Sequence, residues 1–166
     1  MTESVTIPNS YQTPNVVVDR LYQYLLPDEI VVLTYAIRHI LGWRDKISDR
    51  RGRISLSMFE SGFTTKDGTH YGGCGLTRPK VSRALAALVK FGVLAKAGKA
   101  TQEGQEWALT FDDAAAVQWS ALTRRAETVR TKAVKRVAKA TKASANKRRL
   151  SEGSTTVVPP ADSPDP

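Results

Sequence analysis

The chain has 166 residues, 41% of them hydrophobic and 7% aromatic, and 25 Lys+Arg against 16 Asp+Glu leave a formal charge of +9. That length suits one compact domain with an appendage, and its most apolar uncharged stretch, Ile30 to Ile37, falls far short of the roughly 20 residues that cross a bilayer. One cysteine, Cys74, excludes an intramolecular disulfide and a multi-cysteine zinc site, and Met1-Thr2-Glu3-Ser4 carries no secretory signature.

Residues 1–15, with Pro8, Asn9, Pro14 and Asn15, read as an extended leader. Val16 to Leu26 is short and apolar and predicts a small helix. Pro27-Asp28-Glu29 then opens a longer one, because proline at the first helical position sacrifices no hydrogen bond and carboxylates favour the positive end of the macrodipole. Ile30, Leu33, Ile37, Ile40 and Leu41 follow at helical spacing until Gly42. Trp43 to Arg53 is a charged connector, and Ile54-Ser55-Leu56 suits a short strand. Ser57-Met58-Phe59-Glu60 has the spacing of a capping box, which predicts a second helix with Ser57 at its cap. Gly62 to Gly75, rich in glycine, reads as a loop inserted between two helices.

The third helix is predicted over 78–91, capped by Thr77, with Pro79 in its first turn and Phe91-Gly92 at its end. Val81, Ala84, Leu85 and Leu88 form one apolar face, and Arg83, Ala86 and Lys90 lie opposite. Val93 to Ala97 and Trp107 to Thr110 then predict a hairpin with a loose tip. From Asp112 to about Ala145 neither proline nor glycine interrupts a run of Ala, Lys and Arg, so one long helix is expected. Four prolines with Ser, Thr and Asp in the last residues predict a disordered acidic tail over 150–166.

The charge is concentrated. Residues 1–123 carry 14 basic and 12 acidic side chains, residues 124–149 carry 11 and one, and residues 150–166 carry none and three. One short segment supplies the whole excess, which points to a polyphosphate partner. The fold class that follows is mainly α with a small β-hairpin: a winged helix-turn-helix domain over 16–111, followed by a basic helical extension over 112–149. In that order of elements the third helix suits the major groove, the one that admits a helix and distinguishes every base pair. Arg83 is the leading candidate for a base edge. Thr77, Arg78, Pro79, Lys80 and Ser82 surround it, and Lys96 and Lys99 follow the backbone from the wing. Arg124, Arg125, Arg130, Lys132, Lys135, Arg136, Lys139 and Lys142 are the phosphate contacts expected of the basic segment.

Four stretches, Pro14-Asn15-Val16-Val17-Val18-Asp19, Gly42-Trp43, Ile54-Ser55-Leu56-Ser57-Met58-Phe59 and Gly75-Leu76-Thr77-Arg78-Pro79-Lys80-Val81-Ser82-Arg83-Ala84-Leu85, carry a further signal. In this order they resemble the amino-terminal domain of phage replication protein O, a winged-helix origin-binding family, over about residues 12–95. The resemblance implies double-stranded DNA binding. It implies origin firing less strongly, because a basic helix and an acidic tail stand where such proteins engage the replicative helicase.

His70 and Cys74 lie in the glycine-rich stretch, without a second cysteine or a carboxylate pair to complete a metal or nucleophile site. Gly72-Gly73-Cys74-Gly75 lacks the Lys-Ser/Thr of a nucleotide-hydrolase phosphate loop. No enzyme activity, cofactor or metal is expected. The expected setting is the cytoplasm of a prokaryotic cell, on the nucleoid, with double-stranded DNA as partner and no membrane. A homodimer through the weak 119–133 stripe and contacts with replication or mobile-element proteins are the further partners this reading admits. From another class, the alternative is a protein-interaction adaptor whose basic tail binds RNA or solubilises the chain.

Overall fold

A computed structural model of the chain describes residues 13–42, 50–113 and 115–152, with side chains through 142. The leader over 1–12, the connector residues 43–49 and the tail over 153–166 lie outside the described residues. The fold is mixed α/β, about 53% helix with small antiparallel sheets, so helix dominates as the sequence predicts. The chain divides into two compact units, Met1–Ala126 and Glu127–Pro166.

In the first unit a short π-helical turn, Val17–Leu21, buries Val17 and Leu21. Helix α1, Pro27–Leu41, begins where expected, and Glu29 Oε2 accepts the Leu26 amide at 2.9 Å. Its apolar residues Val32, Leu33, Ala36, Ile37 and Ile40 are fully buried. Strand β1, Arg51–Ile54, precedes helix α2, Leu56–Ser61. Ser55 rather than Ser57 caps α2: its backbone is extended and its Oγ accepts the Met58 amide at 3.1 Å, while Ser57 Oγ turns back to Ser55 Oγ. The strand therefore ends where the cap begins, two residues earlier than the sequence reading places it.

The stretch read as a plain loop contains a small hairpin, β2 Phe63–Thr64 and β3 His70–Tyr71. Gly62, at φ 87°, makes the entry turn, where a side chain would strike the Tyr71 carbonyl. Aromatic pairs fix the hairpin against α1: Phe63 stacks on Tyr71 at 5.3 Å and meets the edge of His39 at 5.4 Å. Periodicity could not reveal this because each strand has only two residues.

Helix α3, Arg78–Lys90, packs its Val81, Ala84, Leu85 and Leu88 face against α1 and α2. Gly92 ends it at φ 69°, with the Val93 amide on the Leu88 carbonyl and the Gly92 amide on that of Val89. Strands β4, Leu94–Lys96, and β5, Gln105–Leu109, follow, and β1 adds to β5, giving a three-stranded antiparallel sheet in the order β1-β5-β4. Gly52, Ile54, Gln105, Trp107, Leu109, Leu94 and Lys96 share one face of it, and Arg51, Arg53, Ala95, Glu106 and Ala108 share the other. Trp107 and Leu109 on the first face are buried, which sets the register, since a one-residue slip would expose them.

Helix α4, Trp119–Glu152, starts later than the sequence reading predicts. Asp113 forms a turn first, its carbonyl accepting the Ala116 amide and its Oδ1 that of Ala115, and the Gln118 amide bonds the Phe91 carbonyl. Burial continues past residue 111, where the sequence reading ends its first domain: Val117, Leu122 and Ala126 are buried, and the first unit runs to Ala126. Trp119 holds this root against the amino-terminal turn, with Arg20 at 4.4 Å over its ring and Tyr24 edge-on at 6.4 Å. Each fully buried aliphatic side chain here is worth about 1.5–3 kcal/mol, so the stability of the first unit rests on this shared core. No helix among the described residues is long and apolar enough to cross a membrane.

Candidate nucleic-acid interface

The apolar spacing that buries one side of α3 leaves Arg78, Pro79, Lys80, Ser82, Arg83, Ala86 and Lys90 exposed. No acidic residue lies on this helix. Arg83 Nε donates to the Pro79 carbonyl at 3.2 Å, which steadies the guanidinium along the helix and leaves Nη1 and Nη2 for an outside acceptor. Thr77 stands at the N-cap position but its hydroxyl makes no cap bond. Glu60 Oε1 takes that role by accepting the Arg78 amide at 3.2 Å. A carboxylate of the chain itself thus sits at the amide end of α3, and the positive character of this helix surface comes from its side chains.

The β4–β5 hairpin holds Lys96 and Lys99 exposed. Its tip is tied by the Thr101–Gly104 bridge and by Arg53, whose Nη1 donates to Thr101 Oγ1 at 2.5 Å and whose Nε lies 4.0 Å from the Glu103 carboxylate. Arg50, beside β1, pairs with Asp112. Arg51 projects from the outer face of the sheet and is exposed. It is a cation the sequence reading left in an undifferentiated connector, and the alternation around Gly52 and Ile54 is the signal that would have separated it.

The basic segment divides sharply. Arg125, expected on phosphate, is instead turned into the first unit. Its Nη1 and Nη2 reach the Glu29 carboxylate at 2.6 and 2.7 Å, Nη2 also reaches the Tyr24 carbonyl at 3.0 Å, and the guanidinium lies 4.3 Å from the Phe91 ring centre. The Glu29 side chain is 5% exposed and that of Arg125 is 21% exposed, so this is a bidentate, largely desolvated pair. Arg125 is removed from the contact set because its charge is already consumed by a buried carboxylate. Arg124 beside it is exposed.

In the second unit every residue from Glu127 to Lys142 is exposed, including Arg130, Lys132, Lys135, Arg136, Lys139 and Lys142. At about 100° per residue, Lys132, Lys135, Arg136, Lys139 and Lys142 fall within an arc of about 120°. Val129, Ala133, Val137 and Ala140 form a narrow stripe beside them. The helix therefore presents one cationic face about 15 Å long, from the 1.5 Å rise per residue.

His70 and Cys74 are not brought together as a reacting pair. His70 is exposed with Nδ1 3.2 Å from Thr64 Oγ1, whereas the Cys74 thiol faces the Val31 carbonyl at 4.0 Å. Burial pushes the Cys74 thiol up to about 12, so it stays protonated at neutral pH. The Tyr35 hydroxyl is likewise raised to about 12, mainly by burial and further by Cys74, with Arg38 opposing. Comparison with family models, with curated proteins and with solved structures found no match to this chain.

Proposed function

We propose that this protein is a non-enzymatic double-stranded DNA-binding protein of the winged helix-turn-helix type, serving replication initiation or transcription control. The observation that carries the reading is the paired set of exposed cationic surfaces. One is α3 with Arg78, Lys80, Arg83 and Lys90 beside the hairpin lysines Lys96 and Lys99, and the other is the basic face of α4. Helices α1, α2 and α3 followed by the β4–β5 hairpin, with β1 completing the sheet, are the element order that supports a winged helix. The resemblance to the replication protein O domain favours the same class.

In this reading α3 lies in the major groove and Arg83 meets guanine O6 and N7 through its free terminal nitrogens. Arg78, Lys80, Lys96 and Lys99 contact phosphates, which fixes register without carrying sequence information. Residues 127–142 lie along the backbone with their cationic arc toward it. A helix polar on nearly every side has little packing to hold it, and a polyanion neutralises its self-repulsion.

The test is the salt dependence of duplex binding by the full chain. Changing Lys132, Lys135, Arg136, Lys139 and Lys142 together to Gln should lower the slope of log affinity against log salt by about 4 to 5, at about 0.9 per phosphate contact. The preferred sequence should stay fixed. An unchanged slope would refute the α4 contact, and absence of duplex binding by the parent chain would favour the adaptor reading.

A further inference from the structure

Between α3 and the inward face of the sheet lies an open groove of about 440 Å³. Leu56, Leu85, Val89 and Trp107 give it an apolar floor, and Ser82 and Lys96 stand among its lining residues. Trp107 is mostly buried and its Nε1 is spent on the Ile54 carbonyl at 3.3 Å, so the little of the indole that reaches the groove is ring carbon. Gln105, also at the groove, has its amide nitrogen committed to the Gly98 and Glu106 carbonyls, which leaves no neutral donor of its own for a ligand. Lys96 is the cation here. It pairs in register with Trp107 across β4 and β5, so both side chains leave the sheet on the same side. Ala86, exposed on the neighbouring helix surface, is small enough to keep the groove open.

An apolar slot with an indole at its base and one ammonium at its edge is complementary to a flat, singly charged acid. We propose that this groove binds a small aromatic carboxylate, its ring against the apolar lining of Leu56, Ala86 and Val89 and its carboxylate on Lys96 and the Ser82 hydroxyl. Because Ser82 and Lys96 also belong to the proposed DNA surface, occupancy weakens duplex binding. That consequence rests on the DNA-binding reading, whereas the ligand site itself does not.

The probe is naphthoate, titrated into the full chain and followed by amide chemical shifts, with neutral naphthamide as its isostere. Shifts should cluster at Ser82, Ala86, Val89, Lys96 and Trp107. Ala86→Leu, which fills the slot, should weaken both compounds about tenfold or more while thermal unfolding stays near that of the parent chain. Lys96→Gln should weaken naphthoate about tenfold and leave naphthamide unchanged, and Lys80→Gln should alter neither. Shifts scattered over the surface, or an affinity for naphthoate indifferent to Ala86→Leu, would overturn the site. So would Lys96→Gln that changes only the association state, since an inward lysine on an edge strand also deters strand pairing. Duplex binding without the probe is measured separately. Normal DNA binding with no naphthoate binding sinks the site alone, and groove-specific naphthoate binding that leaves duplex affinity unchanged sinks its effect on DNA.

Discussion

Arg124 and Arg125 are neighbours of the same chemistry in the same helix, yet Arg124 is exposed while Arg125 lies in the grip of Glu29, Tyr24 and Phe91. The same contrast separates the two units. Up to Ala126 the chain is organised by what it buries, and from Glu127 to Lys142 nothing is buried, so helix propensity and charge are what remain. Net charge by segment is therefore a poor guide to which cations meet a partner, because one well-placed carboxylate withdraws an arginine from the surface.

The sharpest way to break this contrast is to remove the carboxylate. Glu29→Ala should cost about 3–5 kcal/mol of unfolding free energy, since it strands a desolvated guanidinium and also deletes the acceptor for the Leu26 amide. Arg124→Ala should move stability by no more than about 0.5 kcal/mol in the same denaturant titration. A Glu29→Ala loss no larger than about 0.5 kcal/mol would mean that Arg125 is solvated rather than held by Glu29.

Core truncation gives the next largest effect. Leu85→Ala should lose about 2–5 kcal/mol through a cavity. Val137→Ala, on a side chain 66% exposed, should be nearly silent or slightly favourable to helix by circular dichroism. Arg83→Ala belongs between the two regimes. Folding should be intact, because Arg83 is exposed and its described hydrogen bond is to the Pro79 carbonyl of its own helix, while discrimination at one base pair falls by about 1–3 kcal/mol in a binding-site selection. An unchanged preferred sequence would exclude Arg83 from base reading.

The last effect is absent at neutral pH and appears only in alkali. The Cys74 thiol and the Tyr35 hydroxyl are raised from 9.0 and 10.0 to about 12, so the native state holds their protons more tightly than the unfolded chain does. Their contribution is complete below about pH 9 and is lost as pH rises toward 12. The midpoint of thermal unfolding should decline over that window, and Cys74→Ala should flatten part of the decline. Alkylation of Cys74 in the folded protein should stay slow at pH 8.

Much of the first unit was legible in the sequence because its helices carry periodic apolar faces and explicit stops: Pro27 and Gly42 around α1, Pro79 and Gly92 around α3. The extent and pairing of β1 were not: the reading places a short strand at Ile54–Leu56, whereas the strand runs Arg51–Ile54, has only Gly52 and Ile54 facing inward and pairs with a strand more than fifty residues away. The β2–β3 hairpin escaped for the same reason of length, and it is held by contacts to His39 that no local pattern encodes. Among the candidate residues, exposure of the α3 set followed from helical phase alone. Arg125 and the groove around Trp107 did not, since both depend on which distant elements meet: Glu29 for one, β4 and α3 for the other.

The Glu29–Arg125 pair has a kinetic meaning as well. It joins residues 96 positions apart, the widest separation of any hydrogen-bonded side-chain pair described in the first unit apart from the adjoining bond to Tyr24. Closing so long a loop costs more chain entropy than forming the α1–α3 or α2–α3 contacts, so the pair is expected to form late in folding. Interactions absent from the folding transition state act on the escape from the native state. The pair thus works as a latch on lifetime: without it the protein should refold at nearly its original rate and unfold much faster, shortening the time for which the root of α4 stays seated.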